Sequence, residues 1–135
     1  MTQNTREVLF GILFGALAIG FALFLNNAQK FDFFALLLTF IAGVYLGFAL
    51  LDSRPKYLAI EIGAILVFAV FSLLGLWVAP IFLAIGYFAH GLWDFLHHSK
   101  IQTRIAEWWP PFCVATDWII AGYILIWLLR AGSST

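Results

Sequence analysis

The chain has 135 residues, a length typical of one domain, and its 7 basic and 7 acidic residues cancel. Without net positive charge there is no electrostatic basis for binding nucleic acid. With 64% hydrophobic and 10% charged residues and a mean hydropathy of +1.00, the chain is too apolar to be a water-soluble domain of this size. The composition therefore predicts a single integral membrane domain over residues 1–135.

The first apolar run follows Arg6 and is ended by Asn26 and Asn27. A basic residue before an apolar run is also typical of a signal peptide, but no cleavage site of small residues follows this run. Because further apolar runs continue down the chain, we interpret the first run as a retained membrane helix.

Four more apolar runs follow, separated by polar residues or prolines. Asp52 and its polar neighbours end the second run, and Pro80 begins the fourth, where the missing proline N–H costs no hydrogen bond. Each run has about 18–21 residues, enough to cross a hydrocarbon core of about 30 Å as a helix. The sequence predicts an all-α polytopic bundle of five transmembrane helices at about residues 8–25, 33–51, 57–77, 80–98 and 110–130.

Basic residues are distributed unevenly between the two predicted faces of this bundle. The face with the N-terminus carries Arg6, Arg54, Lys56, Lys100 and Arg104, whereas the opposite face carries only Lys30 and Arg130. Short loops rich in Lys and Arg remain in the cytoplasm. The expected topology has the N-terminus in the cytoplasm and the C-terminus outside, in a bacterial inner (plasma) membrane.

Small residues recur at a spacing of four and would let helices approach closely. The pairs are Gly11 with Gly15, Ala16 with Gly20, and Gly43 with Gly47. Packing within the chain is the favoured interpretation, and a seam between two copies in a homo-oligomer is the alternative.

Three acids and all three histidines lie within predicted spans or at their ends, whereas every Lys and Arg lies in a loop or at a span end. A charged acid at bilayer depth costs roughly 2.5–3.5 kcal/mol on insertion scales. Since no intramembrane Lys or Arg can compensate it, the counter-charge must be a proton, a protonated histidine or a bound metal. The residues concerned are Glu61, His90, Asp94, His97, His98 and Asp117.

Helical geometry predicts that these residues lie close together. With His90 at 0° and 100° per residue, Asp94 falls at about 40°, His97 at about −20° and His98 at about 80° on the fourth helix. Counted at 1.5 Å per residue from the cytoplasmic face, His90 lies about 12 Å deep and Asp117 about 9 Å deep. Glu61 lies one turn into the third helix from the same face, so all six residues are predicted in one layer.

Imidazoles combined with carboxylates are ligands of zinc or non-haem iron. The predicted ligands of a divalent metal ion are His90, Asp94, His97, His98 and Asp117. Glu61 or Asp94 is the candidate catalytic base toward a metal-bound water. The chemistry suggested is metal-dependent hydrolysis or another modification of a lipid or apolar substrate, with membrane lipid as the surrounding partner.

Alternatives remain open. A buried polar cluster is also typical of a proton or metal-ion transporter, and purely structural packing in a membrane subunit is a third reading. Whether the protein is an enzyme is not decided by the sequence. Cys113, the only cysteine, lies one turn before Asp117 and could join the cluster.

Two sequence elements carry a family resemblance. The element H-x3-D-x2-H-H runs from His90 to His98, and W-P-P-x-C-x3-D runs from Trp109 to Asp117. Together they resemble a group of small bacterial integral membrane proteins that share a domain of unknown function. The resemblance covers the C-terminal third of the chain, and it implies that the two elements belong together without implying an activity.

Overall fold

A computed structural model describes residues 1–133, and over this range the chain is helical, with no strand. Five α-helices follow one another along the chain, as predicted. They are α1 (Gln3–Ala22), α2 (Asn27–Asp52), α3 (Pro55–Trp77), α4 (Ile81–Ser99) and α5 (Trp109–Ser133).

Four of the helices, α1, α2, α3 and α5, are long and apolar enough to cross a membrane. Helix α4 is not among them, although its 19 residues are enough for a span. Its ionisable residues lower its hydropathy, and the structure turns His90, Asp94 and His97 toward the neighbouring helices. The predicted membrane class therefore rests on four helices, while α4 is polar on the side that it buries.

Local capping explains where the helices begin. Helix α1 begins at Gln3, before the predicted Val8, because the Thr2 hydroxyl accepts the backbone N–H of Thr5. Helix α2 begins at Asn27, six positions before the predicted start, because Asn26 and Gln29 form a reciprocal capping box. Hydropathy places both starts too late, since it ignores a polar first turn.

Helix α5 packs between α1 and α4, while α3 packs between α2 and α4, and α2 also contacts α4. The close approach of α1 to α5 depends on Gly11, where a Cβ would lie 2.9 Å from the Cβ of Ala115. Gly15 lies one turn further along the same contact. The prediction that small residues allow close packing within the chain is thus confirmed for Gly11 and Gly15.

The same interpretation is wrong for the other glycines of the pattern. A Cβ added at Gly20, Gly43 or Gly47 would have no neighbour within 4 Å. A side chain at any of these positions would meet open space, so a close helix contact within the chain does not account for them.

An ion pair at the α2–α3 turn holds the α4–α5 connection (residues 100–108) through hydrogen bonds to its backbone. The Arg54 guanidinium donates to both carboxylate oxygens of Asp52 and, at 2.8 Å, to the backbone carbonyl of Gln102. The Asp52 carboxylate also accepts the backbone N–H of Arg104 at 2.7 Å. The hydrogen bond that Arg54 donates to Asp52 raises the pKa of the guanidinium above its ordinary value, so the guanidinium stays protonated.

We call this side of the molecule the loop end of the bundle. The tie draws the α4–α5 connection across the ends of α2 and α3. Thr103, a residue of this connection, is buried. The connection thereby supplies a polar side chain to the interior, next to the predicted site.

Candidate cation site

Two side chains of α4 and one of α5 meet in the centre of the bundle. The Nδ1 atom of His90 lies 2.7 Å from Oδ2 of Asp117 and 3.2 Å from Oδ2 of Asp94. All three side chains are 0% exposed. In the part of the chain that the structure describes, no Lys or Arg forms an ion pair with any of them. We call this group, His90, Asp94 and Asp117, the triad.

Close packing of α4 against α5 places the triad. A side chain at Gly91 would collide with the indole of Trp118, so the glycine lets α5 lie directly against α4. The Trp118 indole N–H also donates to the backbone carbonyl of Phe88 at 3.3 Å. Because Trp118 follows Asp117 in sequence, this contact sets the register that brings the Asp117 carboxylate to His90.

The triad is short of hydrogen bonds for groups so deeply buried. Among residues 1–133, Oδ2 of Asp94, Oδ1 of Asp117 and Nε2 of His90 have no hydrogen-bond partner. One ligand atom from each residue lies within 4.8 Å of the others, so the three could hold a metal ion. Buried polar atoms without partners are uncommon in proteins and often mark a missing water, proton or ion.

Tyr45 of α2 completes the environment of the triad, and the sequence analysis did not select it. Its hydroxyl donates to Oδ1 of Asp94, and its side chain is almost fully buried. A neutral phenol gives no charge signal within an apolar run, unlike an acid. A tyrosine that lies seven positions before Asp52 could have been placed at the depth of the cluster, since phenol groups buried in lipid need a partner.

Glu61 and His97 form a second group, nearer the loop end. Oε1 of Glu61 lies 2.5 Å from Nε2 of His97 and accepts the hydroxyl of Thr103 at 2.7 Å. Nδ1 of His97 lies 2.9 Å from the carbonyl of Trp93, and a carbonyl only accepts, so Nδ1 carries a hydrogen. The contact between His97 and Glu61 then contains one shared proton, either as imidazolium with carboxylate or as imidazole with carboxylic acid.

The ring of Tyr45 lies between the two groups. Its centroid is 4.5 Å from that of His97 and 6.0 Å from that of His90. Five of the six residues predicted in one layer therefore lie in two adjoining groups: the triad joins α4 and α5, and the Glu61–His97 pair joins α3 and α4.

Two candidate residues belong to neither group. His98 is exposed at the loop end, although it follows His97 in sequence. Cys113 is 1% exposed, lines an apolar cavity of about 230 Å³ and is not part of the triad. Of the five predicted metal ligands, the structure brings together three.

A polar cavity of about 460 Å³ opens at the loop end. His97, His98, Thr103 and Arg104 contribute to its wall, and no triad residue does. The cavity thus reaches the Glu61–His97 pair through His97 and stops before the triad. The triad is closed off from this cavity in the conformation described.

Comparison with known proteins gives one match. Residues 6–133 match a family described as a family of unknown function (DUF6010), and the chain belongs to that family. The match extends the expected relationship from the C-terminal third to nearly the whole chain. No curated protein and no solved structure matches the chain.

Proposed function

We propose that this member of the DUF6010 family binds one divalent metal ion, zinc or non-haem iron, at the triad inside the membrane. The observation that carries the proposal is a pair of fully buried carboxylates, Asp94 and Asp117, beside one imidazole and without a Lys or Arg partner. With neutral His90 the two carboxylates carry two negative charges, which one divalent cation neutralises. Nitrogen and carboxylate oxygen are suitable donors for both metals.

The spacing of the donor atoms is compatible with this role after a small adjustment. Zinc bonds to nitrogen and oxygen are about 2.0–2.2 Å long, so tetrahedral ligand atoms lie about 3.3 Å apart. The separation of His90 from Asp94 is 3.2 Å and that of His90 from Asp117 is 2.7 Å. The first separation already matches that spacing, and the second would lengthen by about 0.6 Å on binding, with the fourth position of a tetrahedral ion left open.

The polar cavity and the Glu61–His97 pair suggest a route to the triad from the loop end. A cation that enters the cavity meets His97 first, then the ring of Tyr45, then Asp94. Toward the other end of the bundle, Thr39 and Ser72 satisfy each other and the carbonyl of Ala35. This arrangement supports access from one side only.

The finer prediction of a metal-dependent hydrolase acting on lipid stays a prediction. Glu61, its candidate general base, is engaged by His97 and Thr103 rather than placed beside the triad. Asp94, the other candidate, is fully buried and bonded to Tyr45. Hydrolysis would therefore require an opening that admits both water and substrate.

Elemental analysis of protein purified without chelator tests the proposal. We expect about one zinc or iron per chain in the wild type, and at least tenfold weaker binding in Asp117→Asn, which removes a ligand charge and keeps the shape. Asp32→Asn, which changes an exposed acid on α2, is the matched control and should bind as the wild type does. Metal-free wild type that takes up neither added zinc nor added iron would overturn the proposal.

A proton relay is the second candidate, and one observation favours it. The hydrogen-bonded series Thr103–Glu61–His97 borders the polar cavity at both of its ends and already contains a shared proton. Proton flux into liposomes, read with an enclosed pH-sensitive dye, should then occur without metal and be lost in Glu61→Gln. Flux unchanged by this substitution would exclude the relay.

For the topology, we propose that α4 also crosses the membrane, shielded by its neighbours, with the N-terminus in the cytoplasm. The test uses a Cys113→Ala background, in which Thr2→Cys or Ser133→Cys is the only thiol. A membrane-impermeant maleimide applied to intact cells should label Ser133→Cys and spare Thr2→Cys. The reverse labelling would show that the topology is inverted.

A further inference from the structure

A wide cavity lies along α1, away from the triad. It has a volume of about 700 Å³ and lies between α1 and the start of α5. Its wall is polar near the first turns of α1, at Gln3, Arg6 and Glu7, and apolar further along, from Phe10 to Leu17. A cavity that changes from polar to apolar along a membrane helix has the shape of a lipid site, with a headgroup end and a chain end.

Glu7 is the unusual residue of this cavity. Its side chain is 8% exposed, and Oε1 lies 3.6 Å from Nη2 of Arg6. Oε2 is buried and has no hydrogen-bond partner. A buried carboxylate oxygen without a donor is costly, and this one lines a cavity large enough to admit a donor.

Arg6 complements Glu7 at the same end. Its side chain is 58% exposed, so most of its guanidinium remains available to a second anion. Guanidinium binds phosphate oxygens well, because its donors form a planar fork. A zwitterionic phospholipid headgroup carries both partners: an ammonium that can donate to Glu7 and a phosphate that can accept from Arg6.

From its buried acid to its apolar end, the cavity extends over about the depth of one lipid leaflet. From Glu7 to Leu17 the helix rises by about 15 Å at 1.5 Å per residue, which is half of a hydrocarbon core of about 30 Å. Phe10 and Phe14 lie one turn apart along this stretch and are both largely exposed. One acyl chain can therefore lie against α1 while the headgroup stays at the polar end.

We propose that this cavity binds a phospholipid whose headgroup carries a primary ammonium, as in phosphatidylethanolamine. The ammonium donates to Oε2 of Glu7, the phosphate accepts from Arg6, and an acyl chain lies along Phe10 and Phe14. A trimethylammonium headgroup, as in phosphatidylcholine, has no N–H to donate and leaves the Glu7 oxygen unpaired. The site is separate from the triad and is independent of the metal proposal.

Native mass spectrometry of delipidated protein in detergent tests this directly. Dioleoyl phosphatidylethanolamine and dioleoyl phosphatidylcholine are titrated in competition, so that the acyl chains are identical. We expect at least a tenfold preference for the ethanolamine lipid, because one charge-assisted hydrogen bond separates the two complexes. Glu7→Gln should reduce this preference severalfold, whereas Glu107→Gln, at an exposed acid of the α4–α5 connection, should preserve it.

A second series needs no variant and covers the case in which Glu7→Gln does not fold. Wild-type protein is titrated with lipids that carry one, two or three N-methyl groups on the ethanolamine nitrogen. Retained affinity through the dimethyl lipid and a drop at the trimethyl lipid is expected, because the last methylation removes the final N–H donor. Equal binding across the series would overturn the proposal, as would an unchanged preference in a folded Glu7→Gln variant.

Discussion

At the scale of single residues, the contact between Tyr45 and Asp94 shows how the fold accommodates a buried carboxylate. The phenol of α2 donates to one oxygen of Asp94, while His90 lies beside the other. Both carboxylate oxygens are thus contacted from different helices. The Tyr45 hydroxyl is therefore part of the cation site through its hydrogen bond to Asp94, although Tyr45 is not one of the proposed ligands.

Removal of this hydroxyl should destabilise the protein measurably. Tyr45→Phe leaves Oδ1 of Asp94 buried without its donor, and we expect a loss of about 1–3 kcal/mol in the free energy of unfolding. Thermal or denaturant unfolding in detergent micelles gives the measurement.

Tyr87→Phe is the matched control for that substitution. The Tyr87 hydroxyl is equally buried, but it donates at 2.5 Å to the backbone carbonyl of Phe34, a neutral acceptor. Its loss should cost less, because hydrogen bonds to charged groups are stronger. Equal losses in the two variants would show that Asp94 is uncharged when the site is empty.

At the scale of helices, the α1–α5 contact depends on a glycine and can be disrupted by one methyl group. A Cβ at Gly11 would lie 2.9 Å from Ala115 and 3.0 Å from the backbone carbonyl carbon of Phe112. Backbone cannot rotate away as a side chain can, so α1 must shift. We expect Gly11→Ala to cost about 1–3 kcal/mol of stability, measured by the same unfolding assay.

Gly20 lies on the same helix and provides the control. A Cβ there has no neighbour within 4 Å, so Gly20→Ala should be neutral or stabilising, by up to about 1 kcal/mol from helix propensity. A result in which both alanines behave alike would contradict the packing described for α1 and α5.

At the scale of the whole molecule, the tie between the α2–α3 turn and the α4–α5 connection closes the loop end over the Glu61–His97 pair. Arg54→Ala should release the connection, since it removes the donor to Asp52 and to the carbonyl of Gln102. We expect faster backbone hydrogen exchange in residues 100–108, with little change in the cores of the helices.

Arg104→Ala removes the same charge from the same end of the bundle. Arg104 contributes to the tie through its backbone N–H, which alanine retains. The hydrogen-exchange rates of residues 100–108 in Arg104→Ala should therefore stay close to those of the wild type. If both substitutions accelerate exchange equally, net charge rather than the tie holds the connection in place.

Much of this architecture could be predicted from the sequence alone. An apolar composition with polar breaks determines the number of helices and their approximate positions, because each span must satisfy its backbone internally. The absence of intramembrane Lys and Arg identified Asp94 and Asp117 as acids in need of a partner. Helix starts such as Asn27 were misplaced, since capping depends on side-chain hydrogen bonds that hydropathy does not measure.

Only the tertiary structure determines which neighbouring helix each polar residue of α4 contacts. A stripe about 100° wide on one helix faces more than one neighbour, so its members contact different helices. His90 turns to Asp117 of α5, His97 turns to Glu61 of α3, and His98 at the edge of the stripe remains exposed. Periodicity placed these side chains on one face, but the positions of α2, α3 and α5 around α4 selected the three that form the triad.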